Sequence, residues 1–209
     1  MLEYKIRPGS LNVKKKPAIF LLHGYGSNMD DLFSFAPYLP TSHNIIAFQA
    51  PLSLGFGSYA WYPIGIDNKG EVTSDLDAAS SAVDRIIKNI DLLSERYCFD
   101  LEDLSILGFS QGAILSWALG FYKSNKIRRI MPISGLLHES VNTKNKPTFI
   151  AYASHGLEDN VIPIEKARES ILPISNNNPG IHYKEFKNGH TISQENFSEL
   201  LKWIEKTNL

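Results

Sequence analysis

Five short, almost uninterrupted apolar runs punctuate the chain: AIFLLHG (Ala18 to Gly24), NIIAFQAP (Asn44 to Pro51), LSILGF (Leu104 to Phe109), RRIMPISG (Arg128 to Gly135) and TFIAYASHG (Thr148 to Gly156). Most end at Gly or Pro, and none alternates with polar residues, so each predicts a strand buried on both faces. Helix-period segments lie between them. In SDLDAASSAVDRIIKNIDLLSERY, Leu76, Ala79, Val83, Ile86, Ile90 and Leu93 recur at three- and four-residue spacing, which predicts an amphipathic helix capped by Ser74 or Thr73. Further helices are predicted from Gln111 to about Ser124, from about Ile164 to Leu172, and from Ile192 to about Lys206 with Phe197, Leu200, Leu201 and Ile204 inward.

Strands without a polar face, alternating with helices, predict a mostly parallel sheet covered on both sides: an α/β architecture of three layers in one domain, 1–209. IHYKEFKNG (Ile181 to Gly189) does alternate, with Ile181, Tyr183 and Glu185 on one face, and reads as a strand at the sheet edge. LEYKIRP at the start reads as another edge strand, antiparallel to its neighbour. Pro51 to Glu71 reads as one long loop rich in Gly, Ser and aromatics, of a length often tied to function.

Composition narrows the class. The chain has 209 residues, 43% hydrophobic and 21% charged, enough for a substantial core, and a net charge of −1 gives no reason to expect nucleic acid or an anionic membrane as partner. Lys14-Lys15-Lys16 is a short basic run read as a solvated loop. No apolar stretch approaches a membrane span, and MLEYKIRPGS lacks the apolar core of a secretory signal. The single cysteine, Cys98, has no internal partner and reads as a buried, inert thiol. Together these favour a cytoplasmic location. Asn196-Phe197-Ser198 matches the glycosylation tripeptide, but falls inside a predicted helix and is discounted.

Gly108-Phe109-Ser110-Gln111-Gly112 fits G-x-S-x-G, with an apolar strand just before and a helix just after, the setting of a nucleophile elbow rather than of a glycine-flanked helix cap. A serine hydroxyl needs a base, and the base an acid to orient it. On this kind of sheet the order is Ser, acid, His. Of the later histidines, His182 belongs to the edge strand and His155 precedes any good acid candidate on its own loop. His190, in NGHTIS between the last strand and the last helix, can reach across the sheet top and is taken as the base. HGLEDNVIP offers Glu158 and Asp159 as acid; Asp159 is preferred because the apolar Val161-Ile162-Pro163 beyond it can hold and partly bury it. Two backbone donors must meet the oxyanion: Gln111 N–H, and Tyr25 N–H in His23-Gly24-Tyr25-Gly26. His23 is read as bracing that loop.

Four motifs, LLHGYGSN, GFSQGA, HGLEDNVIP and GHTIS, together resemble the phospholipase/carboxylesterase branch of the α/β-hydrolases, which includes acyl-protein thioesterases and small bacterial carboxylesterases. The likeness covers nearly the whole chain and extends to Gln49-Ala50-Pro51 and Ala60-Trp61-Tyr62. It implies the α/β-hydrolase fold, Ser110, Asp159 and His190 as triad, and Tyr25 and Gln111 as oxyanion donors, and it selects Asp159 over Glu158. Two departures are Ala113, where the family often has a third glycine, and Tyr25, where the thioesterases commonly have leucine.

The expected activity is hydrolysis of short- to medium-chain acyl esters or thioesters through an acyl-enzyme, with no metal or organic cofactor. Phe56, Tyr59, Trp61 and Tyr62 could wall an acyl pocket or simply anchor their loop in the core. Alternatives are a lysophospholipase or acyl-protein thioesterase, or a non-catalytic binding protein on the same scaffold. The partner expected is a small acyl ester or thioester, with no nucleic acid and no stable membrane insertion. The resemblance leaves room for a homodimer.

Overall fold

The computed structural model describes residues 1–66, 68, 72–122 and 126–208. In chain order the elements are β1 (Tyr4–Arg7), β2 (Lys16–Leu22), α1 (Met29–Phe33), β3 (Asn44–Phe48), β4 (Leu52–Gly55), β5 (Ser58–Ala60), β6 (Ile64–Ile66), β7 (Val72–Ser74), α2 (Leu76–Tyr97), β8 (Phe99–Phe109), α3 (Gln111–Tyr122), β9 (Arg129–Ile133), β10 (Ile150–Gly156), α4 (Ile164–Ser175), β11 (Ile181–Phe186) and α5 (Gln194–Lys206). A seven-stranded sheet in the order β1-β3-β2-β8-β9-β10-β11 forms the centre. All its pairings are parallel except β1 on β3, so the antiparallel N-terminal edge and the edge position of β11 match the sequence reading.

Alternate side chains of each buried strand feed two separate cores. Phe20, Leu22, Ile46, Phe48, Ile106 and Ile130 pack toward α2, α3 and α4. Ile19, Leu21, Ile45, Ala47, Leu107 and Met131 pack toward α1 and α5, where Leu32, Leu200, Trp203 and Ile204 meet them. Each of these Leu, Ile, Phe and Met side chains withdrawn from water contributes about 1.5–3 kcal/mol, which explains the lack of a polar face in these strands.

Several elements differ from expectation. The Pro51 to Glu71 stretch is not one loop: it holds the β4–β5 hairpin, and β6 pairs antiparallel with β7. Glu71, its predicted end, and Ser124, the predicted end of α3, lie outside the described residues. The cap of α2 is Asp75, whose side chain accepts from Ala78 N–H, not Ser74 or Thr73, and Leu76 faces solvent. β8 begins five residues early because Phe99 pairs beside Lys16 before a register shift. α4 continues through Pro173 to Ser175, since a proline in the last turn forfeits one hydrogen bond without ending the helix. Cys98 is exposed: it caps α2 in the left-handed region, φ 53°, which turns its side chain outward. Asn196 is buried in α5 and donates to Ser154 Oγ at 2.9 Å, consistent with discounting it as a glycosylation site.

At the end of the sheet away from Ser110, Arg129 is fully buried. It donates to Ser105 Oγ at 2.9 Å, Asp103 Oδ1 at 2.5 Å, Asn208 Oδ1 at 2.9 Å and His43 Nε2 at 3.0 Å. Burial, then the neighbouring Arg129, pushes the His43 imidazole down to about 4. Among the described residues no helix is long and apolar enough to cross a membrane.

Candidate active site

Ser110 sits where β8 becomes α3, with φ at 53°, a left-handed conformation that a residue with a Cβ adopts at a cost of about 1–3 kcal/mol. The neighbouring glycines make that turn possible by contact. A Cβ on Gly108 would overlap the Gly112 carbonyl, and one on Gly112 would overlap the Leu22 carbonyl oxygen of the adjacent strand. Ser110 N–H donates to Ile133 O at 3.0 Å, while its carbonyl accepts from Ala113 and Ile114 N–H as α3 starts. The methyl of Ala113, a family departure, is matched by Gly135, where a Cβ would come within 2.6 Å of it.

His190 Nε2 lies 2.9 Å from Ser110 Oγ, and Nδ1 lies 2.8 Å from Asp159 Oδ2. The carboxylate only accepts, so Nδ1 bears the hydrogen and Nε2 offers its lone pair to the serine O–H. The three residues are thus brought together in the order the sequence suggested. Asp159 is buried, and its Oδ1 accepts from Val161 and Ile162 N–H, both at 2.9 Å, whereas Glu158 faces solvent. Glu158 N–H donates to Asn188 O, and Asn188 Nδ2 donates to Gly189 O and Thr191 O, tying the acid's turn to the loop of His190. Phe109 packs against the His190 ring at 5.0 Å.

The loop after β2 lies against the serine: a Cβ on Gly24 would stand 3.2 Å from Ser110 Cβ. Gln111 N–H is at the first helical position, an intrinsic orphan of a helix start, and among the described residues neither it nor Tyr25 N–H meets a protein acceptor. Tyr25 turns its ring toward solvent, 42% exposed. His23 braces this loop as expected: Nδ1–H donates to Gly24 O at 2.8 Å, and Nε2 accepts from Ala50 N–H at 3.1 Å. Burial lowers its affinity for a proton, which suits a ring that must accept at Nε2.

Of the proposed wall, Trp61 and Tyr62 are buried. Trp61 Nε1–H donates to His23 O at 2.8 Å, and the Gln111 side chain clamps both residues, accepting from Trp61 N–H and donating to Tyr62 O, each at 2.9 Å. They anchor the segment in the core. Burial pushes the Tyr62 hydroxyl up to about 12. Phe56 departs from the expected wall: at the tip of the β4–β5 hairpin, between Gly55 and Gly57 and itself at φ 51°, it is fully exposed.

Two roles carry no signal in the G-x-S-x-G motif or in the order of acid and base. The motif points to the Gln111 backbone N–H, and its side chain also fixes Trp61 and Tyr62. His155, which precedes the acid on its own loop and so is not the base, is buried against Asp159; the four-residue spacing in HGLED is the signal available.

Residues 9–208 match the Phospholipase/Carboxylesterase family. The chain is 31% identical over 172 residues to a protein of Aspergillus terreus described as a probable feruloyl esterase C, covering 79% of this chain and 57% of that one. It spans about half the length of the curated relatives it matches. Among solved structures, esterase PE8 superposes with a TM-score of 0.86 at 22% identity over 99% of each chain. Zea mays acyl-protein thioesterase 2 does so at 0.76 and 20%, again over 99% of each chain. With the family's pattern running through residues 9–208 of the 209, the chain belongs to the phospholipase/carboxylesterase family of α/β-hydrolases.

Proposed function

We propose that this chain is a serine carboxylesterase acting on short- to medium-chain acyl esters or thioesters, with Ser110 as nucleophile, His190 as base and Asp159 as acid. The supporting observation is the continuous relay from Ser110 Oγ through His190 to Asp159 at 2.9 and 2.8 Å. His190 takes the serine proton as Oγ attacks the carbonyl carbon, and the protonated ring then gives it to the departing alcohol or thiol. Water, deprotonated by the same nitrogen, releases the acid and restores the serine. Tyr25 and Gln111 N–H groups meet the oxyanion, where one such donor is worth about 3–4 kcal/mol in the transition state. A cytoplasmic location stays part of this reading and rests on the one free, exposed thiol, Cys98.

A cavity of about 160 Å³ beside α3 suits the acyl group: its walls include Ile114, one helical turn beyond Ser110, with Tyr62, Leu76, Val83 and Ala118. Ser74, His138 and Ser140 also line it, and these polar groups favour a second reading, an aromatic acyl group bearing hydroxyls, in line with the name of the Aspergillus terreus relative.

The test is hydrolysis of p-nitrophenyl esters from acetate to palmitate, with methyl ferulate alongside, by wild type and Ser110→Ala. Turnover should fall by several orders of magnitude in the variant with its fold intact. An optimum at acetate to octanoate supports the first reading, and a higher kcat/KM on methyl ferulate the second. Activity surviving in the variant, or absent from wild type on every ester, would overturn the enzyme assignment.

A further inference from the structure

β10 ends on Ser154-His155-Gly156, and the His155 side chain is entirely buried. Its Nε2 lies 2.8 Å from Ile162 O and 3.2 Å from Asp159 Oδ2. A carbonyl oxygen only accepts, so Nε2 bears the hydrogen and shares it between the two oxygens. Ile162 in turn donates its own N–H to Asp159 Oδ1. The turn from Asp159 to Ile162 is therefore closed into a ring by one imidazole. The other nitrogen, Nδ1, is buried with no hydrogen-bond partner among the described residues. A position chosen for packing alone would take an apolar side chain and leave no nitrogen unmatched, so the residue type at 155 answers to the bond on Nε2.

We infer that His155 is a positioning residue for the acid: its Nε2–H holds Asp159 Oδ2, the oxygen that faces His190, while the backbone holds Oδ1. This rests on the triad reading above. The bond has two effects. It stops the carboxylate from turning away from His190 Nδ1, and it draws off part of the negative charge on the oxygen that the protonated His190 ring must face. The other charged and titratable groups packed here are Glu185, which pairs in register with His155 from β11, Tyr183 on the same strand, and Arg168 of α4. Arg168 engages Glu185 at 2.7 and 2.8 Å, and that contact holds the Glu185 carboxyl below its usual range.

The test compares His155→Gln, whose amide N–H reaches the place of Nε2, with His155→Phe, which keeps the volume and loses the donor, and with His155→Asn, whose amide is too short. Each is assayed for kcat, KM and the pH profile of kcat/KM on p-nitrophenyl butyrate, with thermal melts and Ser110→Ala in parallel. Phe and Asn should lose about 10–100-fold in kcat with KM within about twofold, since a misaligned catalytic group costs rate rather than substrate affinity. Their acid limb should move to higher pH, because Asp159 stripped of a donor stabilises the protonated His190 ring more strongly. Gln should stay near wild type in both. Equal values for Gln and Asn, or a folded Phe variant with wild-type kcat and acid limb, would overturn the role of His155 while leaving the triad standing. Where Phe fails to fold, the Gln and Asn pair decides. Activity surviving in Ser110→Ala would overturn the triad and the role of His155 with it.

Discussion

At Gly112 the absence of a side chain is a requirement of contact. The start of α3 lies directly on the Leu22 carbonyl of β2, and that approach sets Ser110 against the loop of Tyr25. Gly112→Ala must separate the helix from the strand, so it should cost about 1–3 kcal/mol or more, read from urea unfolding, and reduce esterase activity in the molecules that remain folded. An unchanged midpoint would show that the elbow relaxes freely. The site was legible at this scale because Ser110, Asp159 and His190 each stand in a motif whose chemistry fixes the residue type. His155 was not, since its bond to Asp159 exists only once the turn through Ile162 folds back on β10.

At the scale of elements, the stretch after β3 divides into parts with opposite duties. The β4–β5 hairpin displays Phe56 at its tip, while the residues just beyond it, Trp61 and Tyr62, are locked to Gln111 and His23. Phe56→Ser should leave the melting temperature within about 1 °C, as a fully exposed surface side chain makes little contribution to stability. Trp61→Ala should cost about 3–5 kcal/mol, and with it the brace on the Tyr25 loop. Differential scanning calorimetry of both variants separates the two halves, and a comparable loss in Phe56→Ser would refute this division. Nothing in the order of aromatics told these roles apart, because Phe56 and Trp61 are equally apolar and differ only in what the chain brings against them. The early start of β8 was hidden for a similar reason: Asp100, Glu102 and Asp103 precede the apolar run with charges, although Phe99 is buried and Asp103 finds Arg129 and Arg128 as partners.

Over the whole molecule, the parallel sheet has a polar clasp at the end opposite the serine. His43 is held down to about 4 there, against an ordinary value of 6.5, so the unfolded chain binds a proton more readily than the folded one between those pH values. The stabilisation from keeping His43 neutral is complete above pH 6.5 and is lost as pH falls toward 4, to an extent of the order of 3 kcal/mol. His43→Gln should flatten that part of the curve of unfolding free energy against pH, as measured by urea titration at pH 7, 5.5 and 4. An unaltered slope would assign the acid sensitivity to carboxylates alone. The strands of the central sheet, their parallel sense and the edge positions were readable because a double-sided apolar strand has few homes, whereas the two small pairs β4–β5 and β6–β7 were not. The clasp was not, because it joins residues as distant as His43, Asp103, Arg129 and Asn208.

The strand order also dictates a sequence of events in assembly. β2 finds β3 soon after it, but its other neighbour is β8, which pairs Leu22 with Gly108 and arrives only after α2 has been made. Until then the middle of the future sheet is an open edge of apolar backbone, available to the wrong strand or to another chain. Closing that long loop is an entropic toll on the folding rate, and the strand that delivers Ser110 is the one that must meet it. A chaperone over residues 16–22 would therefore protect the yield of folded protein by covering that edge until β8 arrives.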